Sequence, residues 1–218
     1  MTIYFVRHGQ GEHNLKKLYS TPEFELTELG RKQAEDLAQR IQNLPIDLIV
    51  SSTFKRTRQT TEIINSKINQ EVVYSDLAVE VKRPSEIEGG SWEDPKIIKI
   101  RELMNENFIR QDWHFSDEEN FYDIKKRAEK FLEYLSALDK KHILVVSHIN
   151  LIRMTVLVMM LGDSLTPEIF LHGYDFLQLS TSGLTILRKA QRSKNEYGLK
   201  KKSEWELVTW NDQSHLAD

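Results

Sequence analysis

Cysteine is absent from the 218-residue sequence. That excludes disulfide frameworks, Cys-ligated zinc, iron–sulfur clusters and every enzyme with a thiolate nucleophile. It also suits a reducing compartment, so a cytoplasmic location is expected. Charge of one sign is equally scarce. Lys+Arg is 30 and Asp+Glu 33, a net charge of -3, which gives no bias toward nucleic acid or an anionic membrane. Neither internal repeats nor low-complexity tracts occur. Long uninterrupted apolar runs are missing too. The run from Met1 to Val6 is too short for a signal-peptide core and has no basic region before it. The stretch from Ile143 to Leu161 has the length of a membrane span but contains Ser147, His148, Asn150, Arg153 and Thr155. Hydrocarbon would penalise these heavily, so a buried strand, a turn and a buried helix are expected there. What remains is 39% apolar and 29% charged residues, the balance of a soluble globular protein. A chain of this length buries roughly 70% of its unfolded surface and needs no staples.

Strand and helix patterns alternate along the chain. Ile3–Val6 reads as a buried strand. A helix is expected from Thr27, its N-cap, to about Asn43, with Leu29, Ala34, Leu37, Ala38 and Ile41 at helical spacing and Gly30 weakening its first turn. Asp47–Ser51 reads as the second strand, 53–68 as a helix and Val72–Tyr74 as a brief strand. Residues 81–117 break the rhythm with Pro84, Gly89, Gly90 and Pro95, and read as an inserted lid with a short helix near 96–109. An amphipathic helix over 118–138, a strand at His142–Ser147 and a helix over 149–161 follow. Phe176–Ser180 and Leu184–Leu187 read as a hairpin joined through Thr181–Gly183, and Glu204–Trp210 as the last strand. Arg188–Lys202, with seven Lys/Arg against one Glu, reads as a solvated basic loop. The fold class is therefore α/β: a mostly parallel sheet of about six strands, one edge strand antiparallel, with helices on both faces and an inserted helical lid. One domain over 1–218 is expected.

Ligands of such sheets bind beyond the carboxyl ends of the strands. The polar residues there are Arg7, His8, Gln10 and Asn14 after the first strand, Ser51, Ser52 and Arg56 after the second, Glu80 after the third, and Ser147 and His148 after the fourth. Two arginines and two imidazoles suit a phosphate dianion, because guanidinium forks match phosphate oxygens. A neutral imidazole is a competent nucleophile toward phosphorus. A carboxylic acid can protonate the leaving oxygen, provided a neighbouring dianion keeps it protonated.

The ordered set resembles the histidine phosphatase superfamily, also called phosphoglycerate mutase-like. Arg7-His8-Gly9 with Asn14 resembles its R-H-G-x-x-x-x-N signature. Leu26-Thr27 with Gly30, Gln33 and Ala34 resembles its L-T-x-x-G-x-x-Q-A helix start. Ser51-Ser52 with Arg56, Gln59 and Thr60 resembles S-S-x-x-x-R-x-x-Q-T. Val145–His148 with Ile152-Arg153 resembles V-V-S-H-x-x-x-I-R, and Asn211-Asp212 with His215-Leu216 the N-D-x-x-H-L ending. The resemblance implies that His8 becomes phosphohistidine. Arg7, Arg56 and His148 would hold the phosphoryl oxygens, with Asn14 as a pocket neighbour. Glu80 would serve as proton donor and then as base. It also implies no metal and no cofactor. Two departures stand out. Ile149 replaces the glycine that often follows the second histidine and adds bulk beside the pocket. The G-x-W-E-G neighbourhood after the acid is altered, which leaves Glu86 and Glu88 as rivals of Glu80.

Further expectations concern specificity. Gln10 either shapes the pocket or makes a turn. His13 is expected in an exposed loop. Lys82 and Arg83 could meet a second anion on the substrate. Trp92, Trp113, His114 and Phe115 are expected mainly in the core of the lid, and His172 and His215 in structural roles. The function expected is a metal-independent phosphatase acting on a small phosphorylated metabolite, with a phosphoprotein as the alternative substrate and neither nucleic acid nor membrane as partner. A phosphoglycerate mutase-type transfer and a non-catalytic phosphate-binding module are the competing readings.

Overall fold

A computed structural model of the chain describes residues 1–189 and 203–216. Its centre is a six-stranded sheet built from β1 (Thr2–Arg7), β2 (Leu48–Ser51), β3 (Val72–Tyr74), β4 (His142–Ser147), β5 (Leu184–Lys189) and β6 (Trp205–Asp212). The spatial order is β3-β2-β4-β1-β5-β6. The β3–β2, β2–β4 and β4–β1 pairs are parallel, and antiparallel pairing is confined to the other side, where β5 runs against both β1 and β6.

Strand periodicity splits the core into two layers. Ile3 and Phe5 of β1, Leu48 and Val50 of β2, and Ile143 and Val145 of β4 face one layer. There they meet α5 (Phe121–Ala137), α6 (Ile149–Leu161) and Phe170 of α7 (Pro167–Phe176). Tyr4, Val6, Ile49, Leu144 and Val146 face the other, against α2 (Glu28–Ile41) and Ile64 of α3 (Lys55–Ile68). Strands covered on both faces read as continuous apolar runs, which is why β1 and β4 stand out in the sequence. The stretch 143–161 is indeed a buried strand and a buried helix; among the described residues no helix is long and apolar enough to cross a membrane.

Thr27 caps α2 by accepting from the Gly30 amide at 3.0 Å. Gly30 weakens the first turn of this helix and is there for another reason. A Cβ there would overlap the Gln10 carbonyl, and a Cβ on Gly9 would overlap the Gly30 carbonyl. The two glycines let the loop after β1 lie directly on the start of α2.

Two expectations are corrected. Phe176–Ser180 is not a strand. Phe176 ends α7, which opens with Pro167 at its first turn and Thr166 as N-cap. Beyond it, the Leu177 and Leu179 carbonyls accept from Arg153 and Arg7, and the Ser180 amide donates to Asn211 Oδ1. Side chains take the hydrogen bonds that a hairpin ladder would have used. Residues 12–16, expected as loop, form the short helix α1 (Glu12–Lys16). The 81–117 segment holds its expected short helix as α4 (Pro95–Asn107), capped by Asp94. Most of the basic stretch, residues 190–202, lies outside the described residues.

Candidate active site

The parallel register aligns the strand ends. Arg7 pairs with Ser147, and Ser51 with Val146. The next residues, His8, Ser52 and His148, therefore emerge side by side at one rim. His8 and His148 are buried, with ring centroids 5.1 Å apart. Arg56, brought in by the first turn of α3, lies between them. Its Nε donates to His8 Nε2 at 3.1 Å, and its Nη2 contacts His148 Nδ1 at 3.0 Å. Its Nη1 donates to the Thr21 carbonyl at 2.9 Å, so the guanidinium is fixed in plane.

These contacts define the tautomers. His8 Nδ1 lies 2.7 Å from the Gly9 carbonyl and carries the proton, which leaves the Nε2 lone pair on the pocket side. His148 Nε2 lies 2.8 Å from Ser52 Oγ and donates to it, while Nδ1 accepts from Arg56. Burial, and after it the positive charge of Arg56, holds both imidazoles well below their ordinary pKa. His8 is therefore neutral. Burial also lowers Arg56 to about 10, against the opposing pull of Glu80. Arg7 is lowered by burial as well, and donates through Nη1 to the Leu179 carbonyl at 2.6 Å. Its buried Nε has no protein partner among the described residues.

Arg7, His8, Asn14, Glu80, Arg83 and Ile149 line one cavity of about 300 Å³. Arg56 underlies it through its bonds to His8 and His148. Glu86 and Glu88 do not line this cavity; Glu86 accepts from Ser116 Oγ at 2.8 Å on the surface. Gln10 does not reach it either, since its side chain accepts from the Thr27 hydroxyl at 2.8 Å and braces α2. Lys82 is paired with Asp117 at 2.9 Å. Asn14 both lines the cavity and accepts from the Gly11 amide at 3.0 Å, fixing the turn after His8.

His13 is a correction. It is 7% exposed, lines the cavity, and its ring centroid is 5.8 Å from both His8 and Phe24. The α1 turn rolls it inward, and burial next to Arg56 and Arg7 lowers its pKa to about 3. Of the aromatic residues of the 81–117 segment, Trp92 lines the cavity, while His114 pairs with Asp123 at 2.7 Å.

Several residues support the site in ways that the sequence did not specify. Ser52 accepts from His148 Nε2 and holds the ring in place. Thr60 accepts from the Gly9 amide at 3.2 Å. Arg127 of α5 forks onto Glu119 with two 2.6 Å bonds. It also donates to the carbonyls of Leu77, Val79 and Glu80, pinning the turn that carries Glu80. An Arg on an otherwise amphipathic helix gives no hint of this role.

The sequence family described as histidine phosphatase superfamily (branch 1) matches residues 3–192. The chain belongs to that family. It is thus a phosphoryl-transfer enzyme of the phosphomonoesterase kind. Phosphoserine phosphatase 1 of Hydrogenobacter thermophilus is 31% identical over 156 residues, covering 67% of this chain and 70% of the relative. A protein named probable phosphoglycerate mutase GpmB, from Proteus mirabilis, is 26% identical over 231 residues, covering 100% and 96%. The crystal structure of a phosphoserine phosphatase from Entamoeba histolytica, in complex with 3-phosphoglyceric acid, superposes with a TM-score of 0.75, covering 99% of each chain at 22% identity. That last likeness speaks for the fold alone.

Proposed function

We propose that this member of the histidine phosphatases is a metal-independent phosphatase that hydrolyses phosphate monoesters through a phosphohistidine on His8. The observation that carries the reading is the fixed Nδ1–H of His8 on the Gly9 carbonyl, with the Nε2 lone pair held between Arg56 and the cavity. In the first step Nε2 attacks phosphorus, the ester P–O bond breaks, and the departing oxygen takes the proton of the Glu80 carboxylic acid. In the second, the Glu80 carboxylate takes a proton from water, the hydroxide attacks phosphorus, the P–N bond breaks, and inorganic phosphate leaves. Arg7 and Arg56 stabilise the equatorial oxygens. His148 can donate from Nδ1 only as imidazolium. The incoming dianion supports that second proton, against the burial that opposes it in the empty site.

The substrate class that suits a site of this size is a small phosphorylated metabolite, with the phosphoprotein as the lesser fit. His8→Ala should lower kcat by about a thousandfold or more, with hydrolysis insensitive to chelator and inhibited by vanadate. Activity that persists in His8→Ala and requires added divalent metal contradicts the mechanism. A coupled assay in which 3- and 2-phosphoglycerate interconvert faster than either releases phosphate would favour the mutase reading.

A further inference from the structure

A second cavity, of about 460 Å³, lies beneath the 81–117 segment, and it shares Tyr19, Arg83 and Arg101 with the cavity that holds His8. The two spaces therefore meet at a neck flanked by two arginines. Among the described residues neither the Arg83 nor the Arg101 side chain has a hydrogen bond or an ion pair. Beyond the neck the walls are Phe108, Trp113, Tyr174, Met104, Ile87 and Ile124. Most polar side chains nearby are committed elsewhere, the exposed Asn105 apart. Glu118 accepts from the Phe115 and Ser116 amides, and Glu119 from Arg127. Asn120 caps α5 through Oδ1 and donates to the Gln111 and Trp113 carbonyls.

Resting on the phosphatase reading above, we propose that the preferred substrate is a phosphomonoester with two further features. A second acidic group sits between Arg83 and Arg101, and an apolar, ring-sized body fills the cavity behind them. Each part follows from chemistry at its place. The phosphoryl group must lie against His8 and Arg56. Two unpartnered guanidinium groups at the neck call for an anion, which a carboxylate or second phosphate supplies. A chamber with aromatic walls and committed polar groups gains from apolar contact and loses from polar contact. A cavity of about 300 Å³ is at the low end for a small-molecule site, and the adjoining chamber brings the whole well into the usual range. A three-carbon phosphate ester would leave that chamber without an occupant.

Three esters with the same leaving oxygen separate these contributions: N-acetylphosphoserine, N-naphthoylphosphoserine, and the methyl ester of the latter. The naphthoyl acid is expected to exceed the acetyl acid in kcat/KM by about tenfold or more, the worth of one or two kcal/mol of buried ring. Blocking the carboxylate as methyl ester is expected to cost about fivefold or more in the native protein. In Arg83→Gln/Arg101→Gln the ratio of acid to methyl ester should fall to about one. Equal kcat/KM for the acetyl and naphthoyl acids, or an acid-to-ester ratio unchanged in the double variant, overturns the proposal while leaving the phosphatase reading intact. Absence of phosphate release from all three, with no phosphohistidine formed, overturns both.

Discussion

His8 is set up by two neighbours and by burial rather than by its own chemistry. The Gly9 carbonyl fixes its proton, Arg56 faces its lone pair, and the surrounding burial keeps it neutral. The same burial acts on His148 and His13. In a pH titration followed by NMR, the three rings of the free protein should therefore hold neutral-imidazole shifts through the range around 6.5 where an unperturbed histidine protonates. Titration of His8 near that value would contradict the account. Ser52 offers a sharper residue-scale test. Removing its hydroxyl in Ser52→Ala takes away the acceptor of the His148 Nε2–H and loosens the ring's orientation, and kcat should fall by about tenfold, a loss that Ser52→Thr partly restores. His13 escaped a sequence reading because a single turn, α1, decides whether it faces water or the cavity. Nothing in Glu12-His13-Asn14 announces that turn, whereas Arg7, His8, Arg56 and His148 sit where strand ends oblige them to sit.

At the scale of elements, the loop after β1 and the start of α2 are one unit. Gly30→Ala would push a methyl group into the Gln10 carbonyl. Overpacking of that kind costs about 1–3 kcal/mol, so Tm should fall by several degrees, about 2–4 °C for each kcal/mol in a chain of this size. An unchanged Tm would mean that the close approach is not essential. The turn carrying Glu80 depends on α5 in the same way. Arg127→Met removes the fork onto Glu119 and the bonds to three carbonyls. Arg127 is a positioning residue, so its loss should reach catalysis through the proton donor. Hydrolysis of an alkyl phosphate, with its poor leaving group, should drop about tenfold further than that of p-nitrophenyl phosphate, which hardly needs an acid. An equal drop for both esters would mark a merely structural role. Helices and strands with one clear period were legible in the sequence: α2, α3, α5, β1 and β4 all fall within a few residues of expectation. The 176–183 segment was not, because Arg7, Arg153 and Asn211 reach it from distant parts of the chain and replace the ladder its apolar alternation suggested.

For the whole molecule, the three buried neutral imidazoles couple folding to pH. Their folded pKa values are depressed, so the unfolded chain binds more protons in acid. The stability they contribute is fully present above about pH 6.5. It is lost as the pH falls through that value toward about 3, where His13 protonates in the folded state. Each imidazole costs about 1.4 kcal/mol per pH unit in that window. Denaturant midpoints should fall accordingly between about pH 7 and pH 5, and His13→Phe should flatten the slope. A slope unchanged in that variant contradicts the burial of His13. The near-neutral net charge of -3 gave no sign of the local concentration of Arg7, Arg56 and Arg83 around two histidines. Composition averages over the surface, whereas the fold gathers these groups at one rim of the sheet. The alternation of strands and helices made that rim foreseeable. The chamber behind Arg83 and Arg101 was not, because its walls come from α4, α5, α7 and the loops between them, whose mutual packing no periodicity encodes.

The central claim is that His8 carries the phosphoryl group during turnover. Acid-sensitive label should appear on the protein when it is mixed rapidly with a radiolabelled phosphate ester and quenched in alkali. Peptide mapping should place it on His8, with none retained by His8→Ala. Phosphate release at full rate with no label on His8 at any time would contradict the account.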